Sequence, residues 1–321
     1  MVGELTPASF RVAGVRTILT GEMPNQRGIA GGLVVAPAGD RRSASRRRSP
    51  LTSLGHALVT PFWSLVVRRQ AIQIFVSRDI RGRYVNSVLG LWWAVIQPLA
   101  LLLLYTFVFS VIMKTPLSTS GGSGEFALYL FCGLLPWLAF SDAVTRSSSV
   151  IVEQTPLIKK VVFPSEILPV HVVLSALVVE FVGVITLLAV VMIWGRPPGS
   201  SLSILPVIVV LQFLFTTGVA WLLATLAVYL RDVRQVVGLG LTLWMFLTPI
   251  VYPASMVPER FRWVLDLNPM AYLVGAYRGA VLDDRLPALS SLVVFAGVAL
   301  AAFVSGYWVF NRSKPTFADL L

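Results

Sequence analysis

The chain has 321 residues, of which 56% are apolar and only 13% charged. Soluble domains carry about a quarter charged residues, and a mean hydropathy of +0.79 leaves too few charges to cover a water-soluble globule. The net charge is nevertheless +11, so hydropathy rather than charge excludes a nucleic-acid binder, and the reading is an all-α polytopic membrane protein.

Residues 1–59 hold scattered Gly, Pro and Ser with a basic run from Arg41 to Arg48, a composition that predicts a disordered basic cytoplasmic tail. A secretory signal with its apolar core over 29–38 is the rival reading. That stretch is short, is broken by Gly and Pro, and is followed by positive charge. Residues 60–87 are expected to form an amphipathic interface helix and a juxtamembrane loop. Over 61–76, Phe62, Trp63, Val66, Val67, Ile74 and Phe75 mix with Arg68, Arg69, Gln70 and Gln73. Such a segment is too polar and short to span, and is expected to lie in the headgroup layer with Trp63 as anchor.

A crossing helix needs about 20 mostly apolar residues. Six stretches qualify: 88–113, 126–149, 167–194, 204–230, a short fifth at 236–252, and 288–310. They predict a six-helix transmembrane domain over 88–312, followed by a cytoplasmic C-terminal tail at 313–321. Between the fifth and sixth, prolines and short apolar pieces suggest short re-entrant helices, whose broken backbone needs protein cover. With the N-terminus inside, 19 of the 26 basic residues fall on the cytoplasmic side, 13 of them before residue 88. This asymmetry satisfies the positive-inside rule with both termini cytoplasmic. No internal repeat is visible, which argues against inverted-repeat transporters.

Cys132 lies in an apolar run and reads as a small core residue, and the single cysteine rules out an intramolecular disulfide. His56 and His171 have no metal-ligand spacing. The sequence contains neither GxxxxGK(S/T) nor HExxH, so neither ATP hydrolysis nor covalent catalysis is expected of this chain. No metal site is expected, and no cofactor in this chain. Intramembrane charges normally have a partner. Asp142 and Arg146, at i and i+4, are expected to pair. Glu180 has none in its own helix, leaving it neutral, paired across helices, or facing water.

The junction before the first span concentrates Arg78, Arg81, Arg83 and Tyr84 at headgroup depth. Guanidinium forks bind phosphate bidentately and a tyrosine hydroxyl adds a directional donor, so a lipid diphosphate would suit them. Contact with anionic membrane lipid is the plainer alternative. Glu153, Gln154, Ile158, Lys159 and Lys160 mix charge and apolar surface on a cytoplasmic loop ended by Pro164, suited to docking a partner or to plain solvation. Arg231, Asp232 and Arg234 close the fourth span as an anchor. Tyr105 with Phe109, and Trp244 with Tyr252 by way of Thr248, fall at helical spacing. In an aqueous channel they would stack on sugar faces; otherwise they belong to an interfacial belt, as Trp92 and Trp93 do.

The strings RDIRGRYVNSVLGLWWAVIQP, GLLPWLAFSDAV, LIKKVVFPSEILP, YLRDVRQV and LTPIVYPASMVPERFRWVLDLNPM resemble the ABC-2 permeases of polysaccharide export, the O-antigen, teichoic acid and capsule exporters of the Wzm/TagG type. The resemblance covers about 60–312. It implies a homodimer of six-span subunits with two separate ATP-binding cassette subunits, which bind the ATP and Mg. It also implies export of a glycan on undecaprenyl diphosphate across the cytoplasmic (inner) membrane. By that resemblance Arg78, Arg81, Arg83 and Tyr84 face the carrier diphosphate, and 151–164 includes the ATPase-coupling helix. The pieces over 253–286 are periplasmic gate helices, and no nucleic acid is involved. Two other classes remain. An ABC-2 drug or small-lipid exporter shares the plan without the arginine junction. A membrane glycolipid enzyme would need converging acids, and Asp283 and Asp284 are the only adjacent pair.

Overall fold

A computed structural model describes residues 61–84, 89–112, 123–160, 163–195, 197, 199–230 and 232–321. The tail over 1–59 with its alternative signal segment, His56, the loop over 85–87 and Arg231 lie outside the described residues. Among the described residues there is no strand, and every element is helical.

Residues 61–67 are helical, and a turn at Arg68 leads into α1 (Arg69–Tyr84). A 3-10 turn (Gly90–Trp92) precedes α2 (Trp93–Thr106), which continues as a π-helical segment (Phe107–Ile112). Then follow α3 (Ser123–Glu153), the short α4 (Thr155–Lys160) and α5 (Ile167–Ile193). A 3-10 turn (Ser200–Ile204) starts α6 (Leu205–Tyr229), and α7 (Val233–Leu247) comes next. Short α8 (Arg262–Asp266) and α9 (Pro269–Val281) separate it from α10 (Leu289–Ser313), and α11 (Phe317–Leu320) ends the chain.

Four helices are long and apolar enough to cross a membrane: Glu125–Glu153, Ile167–Ile193, Ser200–Tyr229 and Leu289–Thr316. Trp93–Phe109 and Val233–Leu247 are shorter apolar helices. The chain is therefore a multi-pass membrane protein. The fifth expected span is displaced: its helix starts earlier and ends at Leu247, where Thr248 turns extended (φ −96°, ψ 135°) ahead of Pro249. A residue before proline is pushed from helical towards extended backbone, which explains the early stop. The expected shared helical face of Trp244 and Tyr252 is accordingly not formed.

Helix ends follow local chemistry. Gly195, at φ +79°, closes α5 with its N–H on the Met192 carbonyl, a left-handed stop that glycine takes without steric cost. Asn268 caps α9 by accepting from the Met270 N–H at 3.0 Å, and Pro269 occupies the first helical position, whose N–H would be unused. The segment expected as a C-terminal tail is packed: Phe317 is buried against Phe310 with ring centroids 5.3 Å apart.

The most extensive helix pair is α6 with α10, and it rests on glycine. A Cβ on Gly218 would strike the Ala302 carbonyl and the Phe303 nitrogen, and one on Gly306 would strike the Gly218 backbone. Small residues let membrane helices approach this closely, where dispersion replaces hydrophobic drive. Gly218→Val is expected to lower stability by about 1–3 kcal/mol, read as earlier thermal unfolding of the detergent-purified chain. An unchanged transition would show that the helices separate at no cost.

Candidate functional site: the faces of the first amphipathic helix

Three contacts in succession fix how α1 sits. Arg68, at the turn before it, pairs with Glu166 at the start of α5. Phe75 packs at a tilt against His171 with centroids 5.3 Å apart and against Phe163 at 5.5 Å. Asp79 then accepts Arg146 Nη1 at 2.9 Å on both oxygens. α1 therefore packs beside the beginning of α5 and reaches α3 through its charged side chains. A helix carrying Asp79 and Arg83 gains charge-assisted hydrogen bonds by docking on α3 that lipid would not supply. Exposure of Trp63, at 66%, leaves it free to anchor.

One face of α1 completes an ionic cluster. Arg83 donates from Nη2 to Asp142 at 2.7 Å, with Nε 3.6 Å from Asp79. The expected Asp142–Arg146 pair is present at 3.3 Å, and Arg146 also donates to the Val172 carbonyl at 3.2 Å. Two arginines and two aspartates thus balance one another across α1, α3 and α5. Burial alone would raise the Asp79 carboxyl, but the charge and hydrogen bond of Arg146, with the Arg83 charge, outweigh it and hold it below the usual carboxylate range. A second cluster ties the other end of α1 to the chain terminus. Glu166, 5% exposed, takes Lys314 Nζ at 2.7 Å besides Arg68, and its carboxylate also suits the N-terminus of α5.

The opposite face carries the remaining arginines. Arg78 and Arg81 are exposed on an open polar face of α1 that also carries Gln70, Gln73, Ser77 and Gly82. Among the described residues no carboxylate pairs with either. The four residues expected together at a diphosphate are therefore divided. Arg78 and Arg81 form an open cationic pair, Arg83 turns to aspartates, and the Tyr84 side chain lies outside the described residues. Helical geometry is the cause, because Arg83 follows Arg81 by about 200° of rotation.

A 440 Å³ cavity adjoins the ionic cluster and reaches Glu180 between α2, α3 and α5. Glu180 finds its partner across helices: Gln212 Nε2 donates to Oε2 at 2.7 Å, and Gln212 Oε1 accepts from the Tyr277 hydroxyl at 2.7 Å. Among the described residues no hydrogen bond of good geometry reaches its Oε1.

The aromatics fall into two groups. Tyr105, Phe109, Phe126 and Tyr129 form a ladder with centroids 6.3, 4.8 and 6.3 Å apart. Trp244 packs against Trp137, Phe140 and Phe215 and donates from Nε1 to Asn268 at 2.8 Å. Tyr252 donates to the Phe246 carbonyl at 2.9 Å, beyond the helix end. In the loop after α3, Glu153, Gln154 and Lys159 are exposed and Ile158 half-buried, while the Lys160 side chain is outside the described residues. Asp284 accepts from the Ser201 backbone N–H at 3.0 Å and hydroxyl at 2.8 Å, which holds its carboxyl below the usual range, so it serves as a loop clasp.

Sequence reasoning missed Asn268 and Arg278, which join α9 to the end of α7. Asn268 Nδ2 donates to the Leu247 carbonyl at 3.2 Å and to Thr248 Oγ1 at 2.9 Å. Arg278, 5% exposed, donates to the carbonyls of Pro249 (2.6 Å), Ile250 (2.7 Å) and Tyr129 (3.1 Å), and lies 3.4 Å over the Tyr129 ring. A polar residue directly before a proline was the available signal for the first; the second is a long-range contact with no local mark.

Comparison with known proteins places this arrangement. The O-antigen export system permease protein RfbA of Myxococcus xanthus is 32% identical over 246 residues, 76% of this chain and 92% of its own. A Klebsiella pneumoniae protein of the same name is 31% identical over 252 residues, 77% of this chain and 93% of its own. The polysialic acid transport protein KpsM of Escherichia coli is 24% identical over 238 residues, 73% of this chain and 91% of its own. The family model described as ABC-2 type transporter matches residues 70–282, from the start of α1 to just beyond α9, and the chain belongs to that family.

Proposed function

We propose that this chain is the membrane permease of an ATP-driven exporter that moves a polysaccharide, such as an O-antigen, across the cytoplasmic membrane on a polyprenyl diphosphate carrier. The observation that carries the reading is similarity over nearly the whole length of relatives named for O-antigen export. Two copies of the chain would pair with two ATP-binding cassette subunits, which hold ATP and Mg. The sequence itself has no phosphate-binding GxxxxGK(S/T) loop. All six apolar helices would cross the bilayer, with the basic N-terminal tail over 1–59 and the terminus after α10 on the cytoplasmic side. The short helices over 253–286 would re-enter from the periplasmic side.

In this reading α4 and its flanks dock on the ATPase, with Ile158 as the apolar contact and Glu153, Gln154, Lys159 and Lys160 as the polar rim. The carrier diphosphate rests on Arg78 and Arg81, whose guanidinium groups are exposed and, among the described residues, free of carboxylates, while Arg83 positions α1. The Tyr105–Phe109 ladder is the better candidate for sugar stacking than Trp244, which is packed among aromatic neighbours within one chain. The chain purified without any partner is expected to show no ATP hydrolysis. The complex with its cassette subunits should hydrolyse ATP and carry lipid-linked glycan to the outer side of vesicles. ATP hydrolysis by the isolated chain would overturn the reading.

A further inference from the structure

The 73–77–81 stripe of α1 divides two surfaces. On one side lies the exposed cationic face of Arg78 and Arg81. On the other, Ile72, Val76 and Ile80 at successive turns face Leu177 and Phe181 of α5 and Val209 of α6 across a groove of 680 Å³. The groove is apolar except along the shared rim, where Gln73, Ser77 and Arg81 stand. Val178 and Phe181 on its α5 wall are 43% and 62% exposed.

We infer that this groove between α1, α5 and α6 holds the polyprenyl chain of the carrier while its diphosphate lies over Arg81 and Arg78. The inference rests on the carrier reading of the proposed function and adds where the chain goes. Two chemical facts join the halves. Arg81 stands both on the exposed cationic face and on the groove rim, so an anion on it brings an attached chain to the groove mouth. Moreover, α1 has one carboxylate, Asp79, and it is turned to Arg146 on the other face, leaving the rim purely cationic and polar. An amphiphile with an anionic head therefore matches both surfaces, the head by charge-assisted hydrogen bonds and the chain by apolar contact. The occupant crosses over the top of α1, a helix pinned at both ends by ion pairs, so head and chain bind a preorganised edge.

The test uses the whole permease–ATPase complex in phosphatidylcholine vesicles containing a glycan-free polyprenyl diphosphate with a photoreactive diazirine in its chain. Adducts are mapped by mass spectrometry. They are expected on the α5 wall from Leu174 to Phe181, and to fall about tenfold, a difference of about 1.4 kcal/mol, when Val178→Trp and Phe181→Trp fill the groove. Both positions are exposed, so the added rings do not overpack the core, and the wild-type adduct map stands independently of these variants. Adducts elsewhere that still fall in Arg78→Glu/Arg81→Glu would overturn the groove and leave the diphosphate reading standing. Adducts in the groove indifferent to those charges would uphold the chain's place and remove the diphosphate from the arginines. Equal labelling by a photoreactive phosphatidylglycerol would make the groove a general lipid cleft and overturn the inference.

Discussion

Arg146→Ala is expected to loosen the C-terminal half of α1 from the bundle, at a cost of about 1–3 kcal/mol. The side chain holds both oxygens of Asp79 at 2.9 Å, approaches Asp142 at 3.3 Å and donates to the Val172 carbonyl, so three elements meet on one guanidinium. Its loss leaves two carboxylates to Arg83. Asp79, 21% exposed, bears most of the penalty, while Asp142 at 37% is partly screened by solvent and contributes less. Arg146→Lys keeps the charge but not the planar fork and should recover only part of the stability. The measurement is thermal unfolding of the purified chain, with proteolysis within α1 as a local readout. The pH dependence has a definite sign. The Asp79 carboxyl is lowered in the folded state, so its contribution is fully present above its ordinary value near pH 4 and is lost as pH falls through the lowered one. Wild type should lose this contribution on acidification, and Asp79→Asn should lack it throughout. Equal stability of wild type and Arg146→Ala would show that α1 is held by apolar packing instead.

Arg278→Ala is expected to be as damaging, for a different reason. No carboxylate forms a close ion pair with Arg278 among the described residues, and the Asp283 charge acts on it only from a longer distance. It is satisfied by three backbone carbonyls and the face of Tyr129. Deleting it strands two buried acceptors, each worth about 1–3 kcal/mol when left without a donor, and a part-buried third, and opens space beside Gly133, whose surroundings the guanidinium fills. Two of those carbonyls, at Pro249 and Ile250, belong to the chain just beyond α7, so the change leaves α9 tied to it through Asn268 alone among these polar contacts. Arg278→Lys cannot reach all three acceptors and should fall between. If the proposed function is right, a mild variant such as Arg278→Lys should hydrolyse ATP with its partner yet export little glycan. Normal export would show that α9 needs no latch.

Much of the architecture was legible because lipid imposes simple rules. The helices beginning at Ile167, Leu205 and Leu289 start within a residue of where apolar runs place them, since a run of that length has few other stable states. The end of α7 was misread because hydropathy runs on past Leu247 through Ile250 and Val251, while the backbone turns extended at Thr248. The Asp142–Arg146 pair could be read because i, i+4 spacing is a property of one helix. Arg83 with Asp142, Arg68 with Glu166, and Glu180 with Gln212 could not, because their partners are 59, 98 and 32 positions away.

The +11 charge shows the division most plainly. The sequence by itself determined, through hydropathy, the class of protein and, through basic residues gathered ahead of the first apolar run, an expected orientation. Only the tertiary structure decided which arginines remain available. Arg68, Arg83 and Arg146 are consumed by carboxylates brought from other helices, and Arg78 and Arg81 are left open on the far side of α1. Composition fixes how many charges there are, but whether a guanidinium is neutralised depends on contacts of a few ångströms that only packing creates.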